Sequence, residues 1–246
     1  MTQYEGFSNI YDILMDDVDY EKWVSYVRDI FRYINVQPKG VLDLACGTGN
    51  ITIPMAKLGY DIWGIDISEQ MLSVAENKSR EQGKKIKFIK QDIRNLNLTG
   101  SFDAIICACD GINYVLGEDE LLSTFQRAYQ LLNCGGIFIF DISSYYKLSR
   151  IIGNNTFVEE KDGIFYSWEN EFDAASSTVT MVLNFFIPEG KLYNRIEEVH
   201  VQRAYKNKEV CDNLSKCGFN VLEVLDEFTF FKAHEESERV FFISKK

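Results

Sequence analysis

Val41-Leu42-Asp43-Leu44-Ala45-Cys46-Gly47-Thr48-Gly49-Asn50 is the stretch on which the reading of this chain turns. Its apolar run fits a buried strand as far as Leu44, then breaks into a turn built on Gly47 and Gly49. Glycines allow positive φ and let a ligand approach the backbone where a Cβ would block it. From Ile51 the pattern turns helical, which gives strand, glycine loop and helix in order. In an open α/β sheet that first crossover is where nucleotide-like ligands bind.

The neighbouring residues narrow the ligand. A dinucleotide loop wants G-x-G-x-x-G, but Thr52 stands where the third glycine would fall, and Asp43 sits inside the first strand. Both weigh against an NAD(P)-dependent oxidoreductase. Asp66 closes the next apolar run, Asp61-Ile62-Trp63-Gly64-Ile65, 17 residues after Gly49. An acid at the end of the second strand grips a ribose diol. A third acid, Asp92, follows Ile86-Lys87-Phe88-Ile89.

Taken together, Asp43-Leu44-Ala45-Cys46-Gly47-Thr48-Gly49, Gly64-Ile65-Asp66-Ile67-Ser68 and Gln91-Asp92-Ile93 resemble the glycine, ribose and adenine motifs of class I S-adenosylmethionine (SAM)-dependent methyltransferases. Phe102-Asp103-Ala104-Ile105-Ile106 and Leu131-Leu132-Asn133-Cys134-Gly135-Gly136-Ile137-Phe138-Ile139-Phe140-Asp141 are similar to the family's fourth strand and to the helix end, glycine turn and fifth strand. Ala45 stands where many members carry glycine. The resemblance implies a doubly wound α/β fold with a mainly parallel seven-stranded, Rossmann-like sheet, ending in an antiparallel hairpin. It implies SAM as the cofactor: Asp66 on the ribose hydroxyls, Asp92 and Ile93 about the adenine, Asp43 near the amino-acid end, and Ala45, Gly47 and Thr48 lining the turn. It extends the cofactor set to Ile67, Met71, Cys109, Tyr11 and Trp23. The loop Ala108-Cys109-Asp110-Gly111-Ile112-Asn113-Tyr114 would border the transferring methyl, with Asp110, Asn113 and Tyr114 as candidates to orient the acceptor. The Asn/Asp-Pro-Pro-Tyr/Phe and Pro-Cys signatures of nucleobase methylation are absent.

Composition bounds the partners. A formal charge of −11 disfavours a polyanionic partner, because nucleic-acid binding needs a basic stripe that releases counterions. The expected acceptor is therefore a small molecule, methylated at N or O. A protein or RNA acceptor and a non-catalytic SAM-fold binding protein stand as alternatives. The six cysteines do not make a disulfide framework in a chain of 246 residues. Cys107-x-Cys109 lacks the histidine partners of a zinc set, so no metal is expected. Neither a leader pattern nor an apolar run of about 20 residues occurs, which leads to the expectation of a soluble, cytoplasmic monomer or homodimer with no membrane partner. Two histidines, His200 and His234, match no motif position and suggest no general base.

The chain divides into three parts. Residues 1–37 form an N-terminal helical segment, expected to act as a lid. Its second half places Trp23, Val27, Ile30, Phe31 and Ile34 at helical spacing. Residues 38–150 and 206–246 alternate strands and helices, as a parallel sheet covered on both faces requires. Residues 151–205 carry alternating apolar runs separated by turn signals such as Asp162-Gly163 and Pro188-Glu189-Gly190. They predict an antiparallel insertion of three or four strands that covers the substrate.

Overall fold

The computed structural model describes residues 8–246, so the first seven residues of the expected lid lie outside the described residues. Helices α1 (Ser8–Leu14) and α2 (Tyr20–Tyr33) lead into a core of β1 (Gly40–Leu44), α3 (Thr52–Lys57), β2 (Asp61–Asp66), α4 (Glu69–Glu81), β3 (Lys87–Lys90), β4 (Phe102–Cys107), α5 (Glu118–Leu131) and β5 (Leu132–Ser143). The antiparallel run β6 (Thr156–Lys161), β7 (Ile164–Asp173), β8 (Thr178–Glu189) and β9 (Leu192–Arg203) follows. Then α6 (Asn207–Lys216), β10 (Asn220–Asp226) and β11 (Arg239–Lys245) return to the core.

Seven strands form one sheet in the order β10-β11-β5-β4-β1-β2-β3, with β11 antiparallel to both of its neighbours. Strand β1 lies inside the sheet between β4 and β2, and Val41 to Leu44 are all buried. A strand covered on both faces needs such an uninterrupted run rather than alternation. On one face α2, capped by Asp19 accepting from the Lys22 amide, lays Trp23, Val27, Ile30 and Phe31 against Val41, Ile106, Ile139 and Phe241. On the other, α5 presents Leu121, Phe125 and Ala128 to Leu42, Ile105, Phe138 and Phe140. Each such large side chain contributes roughly 1.5–3 kcal/mol on burial, and these two layers hold the C-terminal ends of β1, β2 and β4 in register.

The expected glycine turn before β5 takes the form of an irregularity in strand pairing. Phe102 pairs with Leu132 but Ala104 with Ile137, and Gly135 absorbs the extra length at φ +77°. The insertion is a four-stranded meander, β6-β7-β8-β9. Its cross-strand pairs Leu183/Glu198, Met181/His200 and Val179/Gln202 set an apolar column of β8 beside a polar column of β9. Helix α1 braces this sheet: Leu14 packs with Ile164 and Phe185, and Lys161 pairs with Asp16 and Asp17.

Where β5, β11 and the loop after β4 meet, Arg239 is ion-paired with both Asp110 (3.0 Å) and Asp141, under the ring of Trp23. The Asp110 amide donates to Asp141 Oδ2 at 3.0 Å, and Gln202 Nε2 donates to Asp110 Oδ2 at 2.7 Å. Burial pushes the Asp141 carboxyl up to about 6 in spite of Arg239. Removing one partner of a buried pair strands the others, at a cost of about 3–5 kcal/mol. Arg239→Met is expected to lower the unfolding free energy by about that amount in urea titration. A loss under 1 kcal/mol would show that the cluster does not hold the fold.

Candidate functional site

A cleft of about 250 Å³ opens at the C-terminal ends of β1, β2 and β4. Its floor is Asp43, fully buried, with Thr52 Oγ1 donating to Oδ2 at 2.5 Å. Burial pushes the Asp43 carboxyl up to about 7, a rise that Thr52 opposes and nearby Asp66 reinforces. The glycine loop is held by the Cys46 amide on Ile65 O and by the Asp66 carboxylate. Asp66 accepts from the amides of Gly47 (2.8 Å) and Ser68 (2.9 Å). Burial raises its pKa, although those amides favour the charged form.

Gly47 has φ +53°, and a Cβ built there would meet no protein atom within 4 Å. The backbone thus faces open cleft that a side chain would fill. Ala45 adopts φ +55°, a left-handed conformation that costs an L-residue roughly 1–2 kcal/mol. Its methyl comes so close to Gly111 that a Cβ at Gly111 would lie 2.9 Å from it. Strain of this kind gathers where a site over-determines its backbone.

Along one side, Ile67, Met71, Asp92 and Ile93 line the cleft. Asp92 is gripped by Arg94, whose Nε lies 2.9 Å from both carboxylate oxygens. Burial works against the charge of Asp92, yet Arg94 holds the carboxyl below its usual range. The opposite wall is Ala108, Cys109, Gly111, Tyr114 and Leu116, with Val201 from β9. Tyr11 and Tyr20 roof the cleft, their side chains hydrogen-bonded to each other. Beside Tyr11, Asp12 ties α1 to the loop below: Thr48 Oγ1 (2.7 Å) and Asn50 Nδ2 (2.9 Å) donate to Oδ1, and Lys78 Nζ donates to Oδ2 (2.7 Å).

The structure therefore brings Asp43, Ala45, Gly47, Thr48, Asp66, Ile67, Met71, Asp92, Ile93, Cys109, Tyr11 and Tyr114 to one cleft. It places three expected site residues elsewhere. Trp23 is a core residue against Phe228 and Phe241, at ring separations of 5.0 and 5.4 Å; Tyr20, one helical turn earlier, meets the cleft instead. Asp110 turns into the Arg239 cluster. Asn113 is fully buried and satisfied, donating to the carbonyls of Ser143 and Arg203 and accepting from the Ser143 amide. Arg94, Tyr20, Asn50 and Val201 were not anticipated. Arg94 had a local signal, a cation two residues past the motif acid, whereas Val201 had none.

Residues 41–136 match the family described as Methyltransferase domain. Over 99% of its length the chain is 34% identical to the YqeM protein of Bacillus subtilis (strain 168), itself assigned as a methyltransferase, covering 97% of that protein. It is 40% identical to the crystal structure of an S-adenosylmethionine-dependent methyltransferase from Clostridium acetobutylicum, with a TM-score of 0.90 and 98% of each chain covered. The sugar N-methyltransferase KedS8 from Streptoalloteichus sp. shares the fold at 18% identity and a TM-score of 0.78, over 96% of this chain and 92% of its own. The chain belongs to the class I SAM-dependent methyltransferases, and its cofactor is SAM. The residues present fit that cation: acids at 43, 66 and 92 line the cleft, and Gly47 leaves the approach open.

Two outcomes are expected. Asp12→Ala removes the ties from α1 to Thr48, Asn50 and Lys78, and should speed release of S-adenosylhomocysteine by at least about tenfold in stopped flow, the equivalent of one hydrogen bond to charge. An unchanged rate would mean that α1 does not retain the cofactor. With Asp43 titrating at about 7 in the ligand-free protein, its contribution to stability is full below about pH 4 and is lost as pH rises through 7. A cationic ligand group nearby favours the ionised form, so SAM affinity should climb from pH 5.5 to 7 and then level off. Asp43→Asn should flatten that profile in calorimetry.

Proposed function

We propose that this enzyme transfers the methyl group of SAM to a nitrogen or oxygen of a small-molecule acceptor. The observation that carries this reading is the small size and aromatic lining of the cleft beside the glycine loop: it holds about 250 Å³ and is lined by Tyr11, Tyr20 and Tyr114 together with Leu116 and, from the insertion, Val201. A cleft of that size suits a compact molecule. Residues 151–205 hold four basic side chains against nine acidic ones, which suits no phosphate-rich partner. The similarity to KedS8, named as a sugar N-methyltransferase, extends over so much of the chain that it includes the insertion, and this supports the same reading.

SAM, when bound, supplies an electrophilic methyl on a sulfonium. The chain's own residues have the tasks of holding and aligning. Asp66, which braces the glycine loop through the Gly47 amide, would take the ribose hydroxyls. Ile67, Asp92 and Ile93 would surround the adenine, with Asp92 held by Arg94. Asp43 would face the amino-acid end. The segment 1–37 acts as the lid, tied down by Asp12, and the insertion covers the acceptor. Tyr11, Tyr20 and Tyr114 exclude water and limit the approach directions of the acceptor, and such alignment can supply several kcal/mol of the barrier.

The test begins with calorimetric titration of SAM, S-adenosylhomocysteine and NADH in parallel. Micromolar binding of both adenosyl ligands with no NADH signal is the expected outcome. Methyl-labelled SAM is then offered with small amines, hydroxy acids and phenols, or with cell RNA and protein fractions. Label entering only the RNA or protein fraction would overturn the small-molecule reading.

A further inference from the structure

The charges around the cleft do not balance. Its lining includes three carboxylates, Asp43, Asp66 and Asp92, and one cationic side chain, Arg94. That cation is already spent. Arg94 Nε lies 2.9 Å from both oxygens of Asp92, and Nη1 lies 3.4 Å from Glu120 Oε1. Asp43 and Asp66 instead accept from neutral donors, the Thr52 hydroxyl and the amides of Gly47 and Ser68. Neither has an ion-pair partner among the described residues.

The cations around the cleft are taken as well. Lys78 pairs with Asp12 beside Tyr11, and Arg239 pairs with Asp110 beside Cys109 and Gly111. Arg203 pairs with Glu209 while donating to Leu116 O. Residues 1–10 of the chain contain no lysine or arginine. Burial pushes the phenols of Tyr11 and Tyr20 and the thiol of Cys109 up, so these walls stay uncharged. Three acids against one guanidinium leave two negative charges unmatched. SAM offsets one of them, because its ammonium and sulfonium outweigh its carboxylate by one charge.

Building on the small-molecule methyltransferase reading above, we propose that the acceptor is a basic amine, drawn in as its cation and methylated on that nitrogen. A carboxylate, phosphate or sulfate would lose its water here with no free cation to meet it and like charge beside it. An ammonium completes the neutralisation. The nitrogen then releases one proton to water, and its lone pair forms the new N–C bond as the methyl–sulfur bond breaks toward sulfur. The product leaves as the methylated ammonium.

The test uses three probes of similar shape and different charge. Protein saturated with S-adenosylhomocysteine is titrated calorimetrically at pH 7 with 2-phenylethylamine, 2-phenylethanol and 3-phenylpropanoate. The amine should bind at least about tenfold more tightly than the alcohol, and the carboxylate at least about tenfold more weakly, as juxtaposed charges require. Leu116 lines the cleft and is 37% exposed, so a lysine fits there without being buried. Leu116→Lys supplies the missing counter-cation and should narrow the amine-to-carboxylate ratio at least about tenfold. Binding of S-adenosylhomocysteine by the variant reports that its cleft is intact. Equal binding of the three probes, tighter binding of the carboxylate, binding by none, or an unchanged ratio in the variant would overturn the proposal. Failure of S-adenosylhomocysteine to bind the unmutated protein would instead bring down the reading on which it rests.

Discussion

One largely buried guanidinium holds this molecule's parts in relation to each other. Arg239 projects from β11, ion-pairs with Asp141 on β5 and Asp110 after β4, and lies under Trp23 from α2. Through Asp110 the cluster also receives Gln202 of the insertion. Core sheet, N-terminal helix, cleft loop and insertion therefore converge on one charge. Charges this far from water are costly unless they are paired and hydrogen-bonded, so each part is held to the others by the penalty of leaving them. The cleft inherits its shape from this knot, because the chain leaving it enters the turn that presents Gly111 and Tyr114.

The cleft itself balances attraction against desolvation. Asp43 and Asp66 are buried deeply enough for their carboxyls to be pushed upward, while Asp92 is pulled below its usual range by Arg94. Acids of raised pKa in a cleft gain most from a cationic ligand. The backbone contributes through strained turns: Ala45, Cys109 and Asp110 all have positive φ, at the ends of β1 and β4. These turns bring two strand ends close enough that Ala45 and Gly111 nearly touch.

Most of the sheet, and the convergence of Asp43, Gly47, Asp66 and Asp92 on one cleft, were legible in the sequence because their signals are local. An apolar run ending in an acid or a glycine pair says where a strand stops and what stands at its end. The residues that went elsewhere show the limit. Helical spacing marked Trp23 as buried, but spacing carries no information about which neighbour does the burying, and that neighbour was Phe228. Asp110 and Asn113 lie in a functional loop, yet their polar groups are taken up by Arg239, Ser143 and Arg203, the last two 30 and 90 residues away from Asn113. Likewise Asp12 finds Lys78 across 66 residues, and Tyr114 finds His200 across 86. Such pairings exist only once the topology has formed.

The seam between insertion and loop bears on how this enzyme can change over evolutionary time. Arg203 donates to Leu116 O, Asn113 donates to Arg203 O, and Gln202 donates to Asp110. A foreign meander grafted in place of β6–β9 would arrive without those partners and leave buried polar groups in the recipient loop unmatched. The insertion is therefore not a portable cassette. A lineage that drifts in one half of the seam must compensate in the other, so the wall and its cover are constrained to diversify together.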